Sequence, residues 1–351
     1  MLDPLLSAGQ LEESGFTHTE LYEEFRAFPI GLVDVGARWG VSAVFAPAAP
    51  IFSVLAFEPD PDEAAKLLEA TRSETTWAGL VLERHALADK ARKVQLHLLA
   101  RANNSSIYPV RQHYYDRYKL KGFEQVKTIE LEAVPLDEIA FATNNAKRRF
   151  GEIIKIDTQG AELDILRGAE RILRERTQCV VCEAAFFTPY EGACLFSDVE
   201  RFLRDRSLSF YGFLDFQHRS TRRLDKRVHR GRERVMQADA VFFRDPMDQP
   251  QLDHPLSRRQ VAVLLVSSLL FAFYDFAAEL ADLPIWSANE RQMLSKSIKS
   301  LATVTPSQAS EPIEFLKNIP ASDTSSRLVE MGRWVDRLRD FQTYHDVPDE
   351  R

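Results

Sequence analysis

The segment 153–169 constrains the fold of this chain more than any other stretch of its sequence. A short run of β-branched residues, 153–156, predicts a buried strand that ends on an acid, Asp157. A glycine turn follows at Gly160, and the next apolar residues lie three apart, at Leu163, Leu166 and Ala169, as in a helix. Open α/β sheets present their functional groups at the carboxyl ends of strands, so Asp157 is predicted to lie in a site.

Strand-like and helix-like segments alternate between residues 30 and 245, which is typical of a mostly parallel sheet covered by helices. Strands are predicted at 31–35, 51–57, 81–87, 153–156, 179–182, 210–216 and 238–243, the last two antiparallel. Alternating apolar residues at 94–98 and 129–133 predict a separate two-stranded element that is exposed on one side. Capping boxes are predicted for Asp60 with Glu63 and for Ser197 with Glu200.

Length and proline positions predict the domain organisation. At roughly 150 residues per domain, the 351 residues correspond to two domains or to one domain with an extension. Prolines 246, 250 and 255 predict a linker at 246–256. We therefore expect a helical segment at 1–29, an α/β domain at 30–245 and a helical extension at 257–351.

Composition argues for a cytoplasmic protein that binds neither nucleic acid nor membrane. The net charge of −7 does not favour a nucleic-acid groove, and three cysteines cannot build a disulfide framework. No targeting pattern is found in residues 1–29. The apolar stretch 261–274 is shorter than the roughly 20 residues that cross a bilayer, so we expect a buried helix there.

A nucleotide-binding layout occupies the first two strands. The strand 31–35 leads into a turn at Gly36, and Glu58 follows the next strand 22 residues later, where a carboxylate can accept hydrogen bonds from ribose hydroxyls. The pyrophosphate fingerprint Gly-x-Gly-x-x-Gly is absent, which disfavours a nicotinamide dehydrogenase. S-adenosylmethionine, which has a ribose and no pyrophosphate, fits better; the Gly36 turn would approach its amino-acid portion and Asp34 would face its ammonium group.

Several motifs in this order make the chain resemble the FkbM family of S-adenosylmethionine-dependent methyltransferases. They are Asp34-Val-Gly-Ala, Phe57-Glu-Pro-Asp-Pro, Ala86-Leu-Ala-Asp89, Asn104-Ser-Ser and Lys155-Ile-Asp-Thr-Gln-Gly-Ala-Glu, and the similarity runs from about residue 31 to 244. The resemblance implies a Rossmann-like class I methyltransferase sheet and, in most members, a hydroxyl acceptor. It implies cofactor-binding roles for Asp34, Gly36, Ala37, Glu58, Leu87 and Asp89, with Leu87 at the adenine and Asp89 accepting from its amine. Asp89 could equally stabilise its own turn. The family's usual asparagine after Gly-Ala is Arg38 here.

Three residues are candidates for the catalytic groups. Asp157 is predicted to act as a weak base on the acceptor hydroxyl, and Glu183, which ends the neighbouring strand, could share this role. A structural cap is the alternative for each acid. His218 follows a predicted strand and could reach the cleft as a base, although a solvated loop histidine is the simpler interpretation. Two acids would also suit Mg²⁺, but the predicted site does not require a metal.

The acceptor and the partners are less constrained. A tyrosine-rich basic loop at 101–126 is predicted to close over a small-molecule or glycan-type acceptor. The alternative is a non-catalytic S-adenosylmethionine-binding module whose helical tail docks a protein partner or a second copy. That alternative rests on the large apolar residues of the tail, Phe271, Phe273, Trp286 and Trp334.

Overall fold

The computed structural model describes residues 5–303, apart from 39, 75–76, 222, 225–232 and 249–254, together with residue 317. This part of the chain contains ten strands and eleven α-helices. The strands are β1 (Ile30–Val35), β2 (Phe52–Phe57), β3 (Gly79–Glu83), β4 (Ala86–Leu87), β5 (Arg92–Leu99), β6 (Gln125–Val134), β7 (Ile153–Ile156), β8 (Cys179–Ala185), β9 (Ser209–Arg219) and β10 (Arg234–Phe243). The helices are α1 (Ala8–Glu13), α2 (Glu20–Ala27), α3 (Pro61–Glu74), α4 (Gln112–Tyr118), α5 (Leu136–Ala140), α6 (Glu162–Arg167), α7 (Glu170–Glu175), α8 (Phe196–Arg204), α9 (Arg258–Leu270), α10 (Tyr274–Asp282) and α11 (Ala288–Ala302).

The main sheet has seven strands in the order β3-β2-β1-β7-β8-β10-β9. All pairings from β3 to β8 are parallel, whereas β10 runs antiparallel to both of its neighbours. The predicted fold class, a mostly parallel Rossmann-like sheet with an antiparallel late strand and helices after it, is confirmed. The carboxyl ends of β2, β1, β7 and β8 therefore meet at one edge of the sheet.

Each face of the sheet is covered by its own layer of helices, because side chains alternate between the two faces along a strand. Leu32 and Val54 lie in a core that is shared with the N-terminal helices and with α9–α11. Val33 and Leu55 lie in a second core that is shared with α5–α8. The sheet is thus the middle of three layers.

Helix α9 is an internal element of this arrangement. Ser257 caps it with a capping box, and every residue from Val261 to Leu270 is buried. Its two serine hydroxyls donate to carbonyl oxygens one turn earlier, so no polar group of these side chains is left without a bond. No helix in the described part of the chain is long and apolar enough to cross a membrane, and the stretch 261–270 is the buried helix that its length predicted.

The apolar residues of the predicted tail contribute to the same core. Phe271 and Trp286 are buried there, and Phe273 packs against it. These three residues consequently offer no open docking face. Trp334 lies outside the described residues.

Two predicted strand patterns are only partly right. The strand predicted at 81–87 is two elements: β3 ends at Glu83, and β4 joins a different sheet. That small sheet has the order β4-β6-β5, so the predicted two-stranded element has three strands. Residues 84–85 break the apolar run because the chain leaves the main sheet there.

The predicted capping boxes also need correction. Asp60 caps α3 by accepting from the Asp62 N–H at 3.0 Å, but Glu63 does not bond back to it; the Asp60 N–H donates instead to Glu58 at 2.9 Å. Helix α8 begins at Phe196, before the predicted cap Ser197, and it is Asp198 that accepts from the backbone N–H preceding the helix, at 3.0 Å.

Candidate active site

A cleft of about 1130 Å³ opens at the carboxyl ends of β1, β2, β7 and β8. Six of the nine residues predicted for the site line it: Gly36, Glu58, Leu87, Asp157, Glu183 and His218. Asp34, Ala37 and Asp89 do not line it. A pocket for one drug-sized ligand is roughly 300–1,000 Å³, so this cleft has room for two small molecules side by side.

Glu58 comes directly after β2 and is 4 % exposed. Its backbone N–H donates to the Glu83 carbonyl at 3.1 Å, which fixes the turn. One carboxylate oxygen accepts from the Asp60 N–H, at 2.9 Å. Burial raises the pKa of the Glu58 carboxyl to about 7. A hydrogen-bond acceptor is therefore held at the cleft wall with its ionisation poised near neutral pH.

Gly36 allows the end of β1 to approach the residue that follows β7. Its φ is +87°, and a Cβ built there would lie 2.1 Å from the Asp157 carbonyl oxygen. The N–H groups of Gly36 and Ala37 both donate to the Phe57 carbonyl at 3.1 Å. The turn glycine is thus required by the packing of three strand ends against one another.

Asp34 is completely buried, and its carboxylate contacts neighbouring residues instead of lining the cleft. It accepts from the Ser42 N–H at 2.7 Å, and its other oxygen lies 3.4 Å from Nζ of Lys155. The two residues are directly paired between β1 and β7. Asp34 therefore fixes two groups, Ser42 and Lys155, that do line the cleft.

Lys155 is a site residue that the sequence prediction missed. It is 5 % exposed in a strand of otherwise apolar residues, and its Nζ lies 3.7 Å from Oδ2 of Asp157. Burial alone would lower its pKa, but Asp34, Asp157 and Asp239 raise it, so the lysine is charged. The sequence signal for this residue is a single lysine among the isoleucines of β7, a strand that lies next to the one containing Asp34.

Asp157 and Glu183 are joined by Gln159. The Gln159 amide nitrogen donates to both Glu183 oxygens, at 2.9 and 2.8 Å, and lies 3.3 Å from Oδ1 of Asp157. Its amide oxygen accepts from the Tyr190 hydroxyl at 3.0 Å. Gln237 also donates to Glu183. The structure thus brings the two predicted catalytic acids together, through residues that the prediction did not name.

Glu183 lies within β8 rather than at its end. Burial raises the pKa of its carboxyl well above the usual range, and the nearby carboxylates Asp157, Glu162 and Asp239 raise it further. Asp239, opposite Glu183 in the β8–β10 pairing, has its pKa raised to about 7, mainly by burial. Burial and mutual repulsion therefore favour the protonated form of Glu183 and of its neighbour Asp239.

The turn between β7 and α6 is organised by Glu162. Its Oε1 accepts from the N–H groups of Thr158 and Gly160, both at 3.1 Å, and from the Thr158 hydroxyl at 3.0 Å. Gln159 has a φ of +59° and Gly160 a φ of +110°. The predicted glycine turn accordingly occupies residues 157–160, and the helix that follows it begins at Glu162.

The remaining predicted residues have distinct environments. Leu87 is buried and lines the cleft with the apolar side chains Phe57 and Ile165. Asp89 forms an ion pair with Arg92, whose other nitrogen lies 2.9 Å from Asp164. His218 lies on β9 rather than in a loop, at the exposed rim of the cleft.

Arg38 is a second residue that the prediction did not assign to the site. Its guanidinium lies 2.5 Å from Asp60 and 3.6 Å from Glu63, and it also donates to the carbonyl of Ala102. All three ionic side chains are largely buried, with exposures of 12 %, 9 % and 8 %. Arg38 therefore ties the turn after β1 to helix α3 and to the loop that follows β5. Among the residues described, no group of three or more His, Cys, Asp or Glu is arranged to hold a metal ion.

Comparison with known proteins yields a family match. The model of the methyltransferase FkbM domain matches residues 34–211. A search among curated proteins found no significant match.

Solved structures give weaker likenesses. The methyltransferase FkbM of Methylobacillus flagellatus KT is 16 % identical to this chain, with a TM-score of 0.37. The match covers 61 % of this chain and 44 % of that protein, so this chain spans less than half of its length. An NADB-Rossmann superfamily protein from Streptococcus agalactiae is 11 % identical, with a TM-score of 0.31 over 92 % and 97 % of the two chains. The magnesium protoporphyrin IX methyltransferase of Synechocystis PCC 6803, solved with bound SAM, is 10 % identical, with a TM-score of 0.29 over 66 % and 79 %.

Proposed function

Because the chain belongs to the FkbM methyltransferase family, we propose that it transfers the methyl group of S-adenosylmethionine to a hydroxyl oxygen of a small-molecule or glycan-type acceptor. The observation that supports the proposal is that the cleft has carboxylates at two separate places. Glu58 follows β2, whereas the Gln159-linked pair of Asp157 and Glu183 lies on β7 and β8. β2 and β7 both flank β1, so their ends are about 10 Å apart.

The residues of the β2 side suit an adenosyl group. Glu58 would accept hydrogen bonds from the two ribose hydroxyls, and the apolar wall of Leu87 and Ile165 would border the adenine. Asp34 would act indirectly, by holding Lys155 and the Ser42 backbone at the cleft. When bound, S-adenosylmethionine supplies a methyl group on a positively charged sulfur.

The residues of the β7–β8 side suit an acceptor hydroxyl. Orientation of the acceptor oxygen at about 3–3.5 Å from the methyl carbon would supply much of the rate acceleration. As that oxygen bonds to the methyl carbon, the carbon–sulfur bond would break and S-adenosylhomocysteine would be left as the second product. The oxygen loses a proton in this step, which Asp157 would accept and Glu183 would share. Gln159 would keep both carboxylates in position, and His218 at the rim is a further candidate base.

Two measurements with the full chain test this proposal. Calorimetric titration should show that S-adenosylmethionine and S-adenosylhomocysteine both bind. Incubation with a lysate of potential acceptors should then produce S-adenosylhomocysteine over time. Binding without any product would favour the non-catalytic module, and the absence of binding by both compounds would contradict both functions.

A further inference from the structure

The acceptor side of the cleft has an uneven charge distribution. Its acids Asp157 and Glu183 lie directly after β7 and near the end of β8, whereas exposed or partly exposed cations line the rim. These cations are Arg101, Lys119 and Lys121 from the tyrosine-rich loop, Arg219 at the end of β9 and Arg223 after it. One acid, Glu233, lines the same rim. A local excess of positive charge therefore lies at the mouth of a cleft in a protein whose net charge is −7.

The deep cations and the rim cations differ in their partners. Lys155 and Arg38 are buried and paired with carboxylates, so their charge is already compensated. In the described part of the chain, none of the five rim cations forms an ion pair with an acid. Arg219 donates to two neutral acceptors among the described residues, the His218 carbonyl at 2.9 Å and the Gln217 side chain at 3.3 Å. The rim charge is thus available to a ligand.

Apolar side chains also line this side of the cleft. Tyr118, Leu120 and Phe123 line it on the side of the tyrosine-rich loop. Tyr118 is 3 % exposed, and its ring is stacked on that of Phe187 with centroids 5.5 Å apart. The Tyr118 ring is therefore held in place by this packing.

From this polarity we infer that the methyl acceptor is a small molecule carrying an oxyanion, phosphate or carboxylate, at the end remote from the methylated hydroxyl. The inference rests on the proposed function, since it assigns the orientation of that reaction's second substrate. The hydroxyl end lies against Asp157 and Glu183, where the Asp157 carboxylate would repel an anion. The anionic end lies against the rim cations, whose field also attracts the substrate to the cleft.

The test uses the full chain saturated with S-adenosylhomocysteine and titrated with inorganic pyrophosphate at constant ionic strength. The cleft variant combines Arg101→Gln, Lys119→Gln and Lys121→Gln. The matched control combines Lys90→Gln, Lys127→Gln and Lys147→Gln, which removes three exposed charges that do not line the cleft. We expect the cleft variant to bind pyrophosphate at least tenfold more weakly than wild type, and the control to bind it as wild type does.

Equal weakening in both variants, or no pyrophosphate binding by wild type, would overturn the inference. Malonate in place of pyrophosphate reports whether the rim prefers a carboxylate, and either preference supports it. A single-stranded RNA whose affinity rises with its length, and exceeds that of pyrophosphate, would instead assign the rim to a nucleic acid. S-adenosylhomocysteine binding, measured first in each protein, reports the proposed function separately: its loss in wild type contradicts that function even where pyrophosphate binds.

Discussion

The side-chain amide of Gln159 donates to both carboxylate oxygens of Glu183 and at the same time contacts Asp157. One residue in a strained turn, with a φ of +59°, therefore sets the spacing of two acids on neighbouring strands. Residues in such conformations are frequent where a site must be held in a defined geometry.

Gln159→Asn tests this positioning role. Asparagine tolerates positive φ, so the turn is retained, but the shorter side chain withdraws the amide from Glu183. We expect turnover to fall on the order of 10²-fold, as for other small misplacements of reacting groups, while cofactor affinity is unchanged. Gln95→Asn, an exposed change on β5, is the control for both measurements. Equal loss of cofactor binding would show that Gln159 serves the fold rather than the acids.

Asp157→Asn separates chemistry from binding. The amide preserves the shape of the side chain and removes its ability to accept the acceptor's proton, so turnover should fall by about 10²-fold or more. Binding of S-adenosylmethionine, measured by calorimetry, should stay nearly intact. Full turnover in this variant would exclude Asp157 as the base.

We expect cofactor binding to depend on pH through the Glu58 carboxyl. Its raised pKa of about 7 means that the ionised carboxylate, the better acceptor for ribose hydroxyls, forms as pH rises through that value. Cofactor affinity should therefore increase between pH 6 and 8, a range set by that pKa. Glu58→Gln should remove this dependence and weaken binding by about 1.5–3 kcal/mol, the net value of a charge-assisted hydrogen bond.

The same carboxyl has the opposite effect on the free protein. Because the pKa of Glu58 is higher in the folded state than its ordinary value of 4.5, the folded state retains a proton that the unfolded state has lost. Its contribution to stability is therefore lost as pH rises from about 4.5 to about 7. Melting temperatures of wild type and Glu58→Gln should diverge across this window, with the variant becoming relatively more stable at the upper end.

Gly36→Ala should destabilise the fold. The new Cβ would lie 2.1 Å from the Asp157 carbonyl oxygen, in addition to the cost of a positive φ. Gly15→Ala is the matched control, since its φ of +81° is similar and no atom lies within 4 Å of the added Cβ. Chemical denaturation should show a loss of about 1–2 kcal/mol for the control and a larger one for Gly36→Ala. Equal losses of unfolding free energy in the two variants would mean that the ends of β1 and β7 can move apart at little cost.

Arg38→Leu should destabilise the protein by about 3–5 kcal/mol, because it leaves the buried acid Asp60 without its cation and Glu63 with only the exposed Lys66 as a partner. Adding Asp60→Asn and Glu63→Gln to this variant removes the uncompensated charges and should restore most of the free energy of unfolding. Failure of the triple variant to recover would point to the lost Arg38–Ala102 contact as the main effect.

The sequence predicted the strands and acids of the sheet edge because local patterns encode them. Buried apolar runs that end on Glu58 or Asp157 need no tertiary information. The roles of Gln159, Lys155 and Arg38 could not be obtained in this way, since each depends on a partner from another strand or loop. Asp89 illustrates the reverse case: the motif contains it, but its contact with Arg92 becomes evident only once β4 and β5 lie in a separate sheet.

The burial of α9 limits how this protein can be divided. Residues matched by the family model end at 211, yet one side of their sheet rests on a helix that starts at 258. Cutting the chain between residues 211 and 258 would expose the apolar face of the sheet to water, and we expect the truncated protein to aggregate. Any fusion, domain exchange or minimal catalytic unit designed from this protein must therefore carry the segment through α11 with it.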